Sequence, residues 1–225
     1  MDARVERIVL PPADEQDEQD VPEADGGQQA AGHRGGNAWL IGDDEEVIVI
    51  DPGEYAEPVL DQVGEREILA VICTHGHPSH VTAAVQVAER DEAPVALHRS
   101  DRLLWRTVHR SGDPEIEMAG GGRFDVSDVQ LEVIHTPGHT AGSVSLYCEG
   151  LEVVFTGDAL NARGPVPHVG AFIDFPRQLT TIGERLFDLP PQTRVLSGHG
   201  EEITIGEAAK EFDGWVAAGP GGEFG

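Results

Sequence analysis

The sequence predicts a layered α/β fold built on mixed sheets. Strand-like runs rich in Val, Ile and Leu come in groups, with helical patterns between the groups rather than after every strand. Hydrophobic residues make up 39% of the chain but are spread over many short runs. The 225 residues suffice for one domain with a real core and are short for two. Residues 1–225 are therefore read as a single domain. No apolar stretch approaches the roughly 18–20 residues of a membrane helix. The first ten residues, with Asp2, Arg4, Glu6 and Arg7, have no signal-peptide core. A cytoplasmic location is the expectation.

Taken in order, residues 5–10 read as a strand, and 37–41 with 46–51 as a hairpin around the polar turn Gly42-Asp43-Asp44-Glu45. Residues 55–63 carry helical spacing, and 68–74 form an apolar buried strand. Residues 81–90 are helical, 94–98 a strand, and 101–108 helical again. Residues 129–135, 143–148 and 151–156 are strands, the last two joined by Glu149-Gly150. Residues 176–186 form a helix with Pro176 in its first turn. Residues 194–197 are a short strand. A final helix starts at Thr204, where Thr204 and Glu207 have capping-box spacing.

There are 41 acidic residues against 15 basic ones, a net charge of −26. Repulsion of that size disfavours nucleic acid and anionic membranes as partners, leaving a small-molecule substrate as the expected one. Oligomeric state is left open. Residues 13–27, dominated by acidic residues and Gln, read as a mobile acidic loop that has too little apolar surface to fold by itself. Cys73 and Cys148 both lie in apolar runs and are expected to be reduced and buried.

The sharpest local feature is Thr74-His75-Gly76-His77-Pro78-Ser79-His80, directly after a buried strand. Imidazoles at i and i+2 in extended chain point the same way, so His75 and His77 reach one cation, while His80 faces a neighbouring position. Packing does not explain three histidines within six residues. Three further strands end in glycine-containing turns: His135-Thr136-Pro137-Gly138-His139-Thr140, Thr156-Gly157-Asp158 and Ser197-Gly198-His199-Gly200. Imidazoles plus a carboxylate suit zinc, with iron or manganese as alternatives. Such a metal activates a water and polarises a carbonyl.

The order HxHxxH, HTPGHT, TGD, SGHG resembles the metallo-β-lactamase superfamily, with the greatest likeness to the glyoxalase II branch and its short bacterial relatives. The resemblance runs from Asn37 to about Trp215 and includes Ile50-Asp51-Pro52-Gly53. It implies a four-layered αβ/βα sandwich with the metal site at the sheet edge. It further implies one metal site from His75, His77 and His139. Asp158 then bridges to a second site containing His80 and His199, with Asp51 supporting from beneath. Asp158 and His80 are the catalytic candidates, and one or two Zn2+ ions, or Fe2+, the cofactor. In these relatives the loop after the Asp158 strand lines the substrate pocket, which makes His168 a candidate substrate contact and Arg163 a candidate for meeting an anionic group.

Two departures matter. The family carries an aspartate where Ser79 stands, and a neutral hydroxyl is a poorer ligand that cannot act as a base near pH 7. Only 26 residues follow His199, with Lys210 their sole basic group, so glutathione recognition by a C-terminal extension is not expected. The expected function is hydrolysis of a small thioester or thiol adduct. The alternatives are a mononuclear Fe(II) persulfide dioxygenase, a lactonase, or a non-hydrolytic biosynthetic enzyme on the same fold. His135 is expected to be structural, and His98 and His109 solvated or locally bonded.

Overall fold

A computed structural model describes residues 2–12, 35–166 and 174–219. The acidic loop at 13–27, His33 and His168 lie outside the described residues.

Two six-stranded sheets carry the fold. In the first, β1 (Arg4–Val9), β2 (Asn37–Gly42) and β3 (Glu46–Ile50) form an antiparallel meander. Beside β3, β4 (Glu67–Ile72), β5 (Val95–His98) and β6 (Ile116–Met118) then run parallel. Parallel pairing needs crossovers. These are α1 (Ala56–Val63), the pair α2 (Pro78–Val81) and α3 (Ala84–Glu89), and α4 (Arg102–Val108). The second sheet runs β7 (Arg123–Val126), β8 (Val129–His135), β9 (Val144–Cys148), β10 (Val153–Gly157), β11 (Arg194–Ser197) and β12 (Ile203–Thr204). Its one parallel pair, β10 with β11, is bridged by α5 (Phe175–Thr181), and α6 (Ile205–Ala218) closes the chain.

Three apolar clusters separate four layers. Val59 and Val63 of α1, Val87 of α3 and Trp105 of α4 pack on Val47, Val49 and Val71, on the outer face of the first sheet. Ile48, Ile50 and Ile72 meet Leu131, Leu146 and Phe155 between the sheets, where Trp39 sets its ring edge-on to Phe155 with centroids 6.0 Å apart. Ile182, Leu186, Ile205 and Trp215 cover Val154 and Val195 on the outer face of the second sheet. The order is helix, sheet, sheet, helix, as the resemblance implies. It explains the unbroken Val47-Ile48-Val49-Ile50 run. A strand covered on both faces alternates between two cores and needs no polar residue.

The helix read over 81–90 is broken. The Ala83 amide donates to the Gly53 carbonyl at 2.9 Å instead of continuing the ladder from α2, so α3 begins afresh. The helix read over 176–186 changes pitch midway. After α5 it continues as a π-helical turn, Ile182–Leu186. The helix read over 101–108 is preceded by a 3₁₀ turn, Arg99–Asp101. Strands β6, β7 and β12 were missed, because two to four residues are too few to show alternation. The C-terminal helix starts at the expected cap: Thr204 and Glu207 form a reciprocal capping box. Cys73 and Cys148 are free thiols in different cores, which rules out a bridge between them.

Candidate metal centre

Five strands end at one edge of the sandwich, and the residues just past them converge there. Asp51 follows β3, His75 and His77 follow β4, His139 follows β8, Asp158 follows β10, and His199 follows β11. His77 is the N-cap of α2, whose first residue is Pro78, so the chain turns helical at once and sets His80 one turn further on. Gly157 permits the turn that delivers Asp158. Its φ is +50°, and a Cβ there would lie 2.2 Å from the Thr74 hydroxyl. Gly138 does the same for His139, since a Cβ would lie 2.3 Å from the Gln178 Cα.

The ring nitrogens form a tight set. His77 Nδ1 lies 3.1 Å from His75 Nε2 and 3.0 Å from His139 Nε2. Two nitrogens bound to one tetrahedral ion at 2.0–2.1 Å stand about 3.3 Å apart, so this spacing fits a shared cation. Asp158 Oδ2 is the hub of the remaining contacts, at 3.5 Å from His80 Nε2, 3.6 Å from His139 Nε2 and His199 Nε2, and 4.0 Å from His75 Nε2. Asp158 Oδ1 is buried without a hydrogen bond, an arrangement proteins avoid unless something else binds the oxygen. Two groups have the donor set and spacing of a metal site: His75, His77 and His139, and His75, His80 and Asp158.

Asp51, 2% exposed and in the left-handed region at φ +50°, fixes the orientation of two rings. Its Oδ1 accepts the Thr74 amide and its Oδ2 the Thr74 hydroxyl, both at 2.7 Å. With its one proton committed to Asp51, the Thr74 hydroxyl accepts from His75 Nδ1 at 3.2 Å, leaving Nε2 as the lone-pair nitrogen that faces the centre. Asp51 Oδ2 also lies 3.0 Å from His80 Nδ1, turning His80 Nε2 toward Asp158.

Burial and neighbouring charges shift three of these groups. Burial drives His75 well below the usual imidazole range, helped by the rings of His80, His77 and His139. Burial also opposes charge on His80, but Asp158 and Asp51 outweigh it and push that ring up to about 10. Burial would raise Asp158, yet His80, His199 and His139 hold its carboxyl well below the usual range.

Three supporting residues carry no motif. Asp101, 1% exposed, accepts from the Gly76 amide at 2.9 Å, the Thr140 hydroxyl at 2.7 Å and the Gly142 amide at 2.7 Å. It thus clamps the His75–His77 loop to the His139 loop. Its sequence signal is slight: an aspartate in the turn after a strand. Gln178 donates to the Asp158 and Ala159 carbonyls at 3.2 and 2.9 Å. Asn37 donates to the Ser197 and Gly200 carbonyls, bracing the His199 turn.

Ser79 is half-buried on α2 beside His80, and its hydroxyl makes no hydrogen bond with the described residues. Arg163 has an exposed side chain, and its amide donates to Asn161. His98 stacks on His135 at 4.4 Å, and His109 meets the Val81 carbonyl at 2.8 Å. Both are local roles of the kind expected.

A helix–sheet–sheet–helix sandwich with a histidine and aspartate metal cluster at its edge defines a class of metal-dependent enzyme. The chain belongs to the metallo-β-lactamase superfamily, whose family profile matches residues 31–199. It is 32% identical over 187 residues to the probable metallo-hydrolase YqgX of Bacillus subtilis, covering 75% of this chain and 87% of that protein. It is 30% identical over 192 residues to the hydroxyacylglutathione hydrolase GloC of Haemophilus influenzae, covering 76% and 88%. Among solved structures it is similar to TTHA1623 in a di-iron-bound form, with TM-score 0.68, 31% identity, and 78% and 93% coverage. No helix among the described residues is long and apolar enough to cross a membrane.

Proposed function

We propose that this protein hydrolyses a small thioester or thiol adduct, with zinc held by His75, His77, His80, His139, Asp158 and His199. The observation that carries the reading is the convergence of four imidazoles on Asp158 Oδ2, beside the tight set of His75, His77 and His139. When bound, the metal supplies an activated water and polarises the substrate carbonyl. Asp158 and His80 are the proposed catalytic residues: Asp158 stands between the two subsites, where its carboxylate orients both, and His80 holds the second subsite beside it. Asp51 keeps the His75 and His80 rings in register. The likeness to GloC supports a thioester, and the net charge of −26 supports a small molecule over a polyanion. Arg163 and His168 are the proposed substrate contacts.

A second reading is iron-dependent oxygen chemistry on a thiol persulfide. Ser79 favours it, because the subsite containing His80 and His199 lacks the second carboxylate that an aspartate at position 79 would add, and the di-iron-bound form of TTHA1623 supports iron as the metal without supporting a single ion.

Metal analysis of protein purified without added metal separates the two, run beside assays of acyl thioesters of bacterial thiols, a β-lactam, a lactone and a phosphodiester. Zinc with thioester turnover is the expected result. Faster turnover of the lactone or phosphodiester would overturn the substrate class. One equivalent of iron with oxygen uptake on persulfides would select the second reading.

A further inference from the structure

A cleft of about 450 Å³ lies outside the metal cluster, between β8 and the helical segment formed by α5 and its π turn. Arg177, Glu184 and Arg185 line one wall, and Glu132, His135 and Pro137 the other. Its size is that of a small-molecule site.

Eight of the described arginines are paired with carboxylates: Arg4, Arg7, Arg66, Arg90, Arg99, Arg102, Arg106 and Arg194. Among the described residues Arg110, Arg123, Arg163, Arg177 and Arg185 have no ion pair, and of these five Arg177 and Arg185 line one cleft, beside Glu132 and Glu184, which have none either. With 41 acidic residues to choose from, two unpaired guanidinium groups in one concavity are notable.

The π turn puts them there. An α-helix advances about 100° per residue, so positions 177 and 185 would differ by about 80° around a regular helix. A π turn absorbs one extra residue, which makes the separation equivalent to seven α-helical positions and leaves about 20° between them. The Phe187 amide reaches back to the Ile182 carbonyl at 3.1 Å, the five-residue span of that turn. Arg177 and Arg185 therefore share a face. Such turns cost regular hydrogen bonding and recur at functional sites.

We infer that this cleft binds a small zwitterion of the amino-dicarboxylic acid class. Its two carboxylates face Arg177 and Arg185, and its ammonium faces Glu184 and Glu132. A guanidinium fork suits carboxylate. A ligand bearing both signs satisfies all four side chains and escapes most of the repulsion that a net charge of −26 imposes on a simple dianion.

Calorimetric titration of the full chain, with its metal content as purified, tests this using three probes. L-glutamate has the complete set of charges, glutarate lacks the ammonium, and 4-aminobutyrate lacks one carboxylate. L-glutamate should bind about ten-fold more tightly than either, the worth of one charge-assisted hydrogen bond. Arg177→Gln and Arg185→Gln should each weaken it by about ten-fold. Glu184→Gln should weaken L-glutamate but not glutarate, and Arg110→Gln, an exposed arginine elsewhere, should change nothing. All are surface positions, so folding is retained. Glutarate binding as well as L-glutamate would overturn the zwitterion. Binding that survives both cleft arginine substitutions would place the ligand on the metal cluster and overturn the site, as would no binding by any probe.

Discussion

The Asp51 carboxylate lies 3.0 Å from Nδ1 of His80 and accepts the Thr74 hydroxyl with the same oxygen. One buried anion thereby sets the orientation of two imidazoles from different turns of chain. Asp51→Asn retains the shape and can still accept from Thr74, but loses the charge that orders His80. Metal affinity should fall about 10–100-fold, the usual loss on removing a group that orients a ligand. Competition against a chromophoric chelator measures it. Unchanged affinity would reduce Asp51 to a backbone prop.

The two halves of the cluster should differ in affinity. His75, His77, His139 and Asp158 are complete, whereas Ser79 offers a neutral hydroxyl beside His80. Calorimetric titration of metal-free protein should resolve one strong equivalent and a second at least about ten-fold weaker, as expected for one missing charged ligand. Two equivalents of equal affinity would contradict this. Ser79→Asp should raise occupancy of the second position and any thioesterase rate. No gain in either would mean the site is built around serine for another reaction.

Asp101 is the joint between the two histidine loops. Asp101→Ala strands the Gly76 and Gly142 amides in a buried setting and leaves the Thr140 hydroxyl with Ser143 alone. Denaturant unfolding of metal-free protein should show a loss of about 3 kcal/mol or more. Metal affinity should fall too, since the loops carrying His75, His77 and His139 lose their tie. A loss below about 0.5 kcal/mol, the range of ordinary surface changes, would show that the loops are held elsewhere.

Away from the centre, Glu6 of β1 joins Arg66 at 2.7 Å and Gln62 at 2.6 Å. Burial would raise the Glu6 carboxyl, but these partners outweigh it and hold it below its ordinary 4.5. A depressed carboxyl contributes stability above its unfolded value, and that stability is lost as pH falls through the folded one. Glu6→Gln should therefore cost about 1 kcal/mol at pH 7, allowing for solvent screening at a partly exposed pair. The gap from the parent protein should narrow as pH falls below the ordinary 4.5 and close once it has fallen through the lowered folded value, where the parent's own carboxylate is protonated. A gap independent of pH would show that hydrogen bonding rather than charge holds the pair.

Much of the fold is written locally. The Val47–Ile50 run, the Thr204 and Glu207 cap, and the glycine turns before Asp158 and His199 follow from side-chain period and backbone geometry. His75, His77 and His80 stand out because histidine at such density has no packing explanation, whereas His139, Asp158 and His199 each follow an apolar strand in a glycine turn and become candidate ligands through the family resemblance. What sequence could not give is adjacency. Asp101, Gln178 and Asn37 look like ordinary polar residues until the two sheets bring the ends of β4, β8, β10 and β11 to one edge. There, buried amides and carbonyls need partners, and these side chains supply them. The π turn after α5 is likewise a tertiary decision. Keeping Ile182 and Leu186 in the core while the chain runs on to β11 is a constraint set by packing, and no local propensity announces it. Motif order along the chain marked which residues are candidates to hold a metal, and the meeting of distant strand ends decided what keeps them in place.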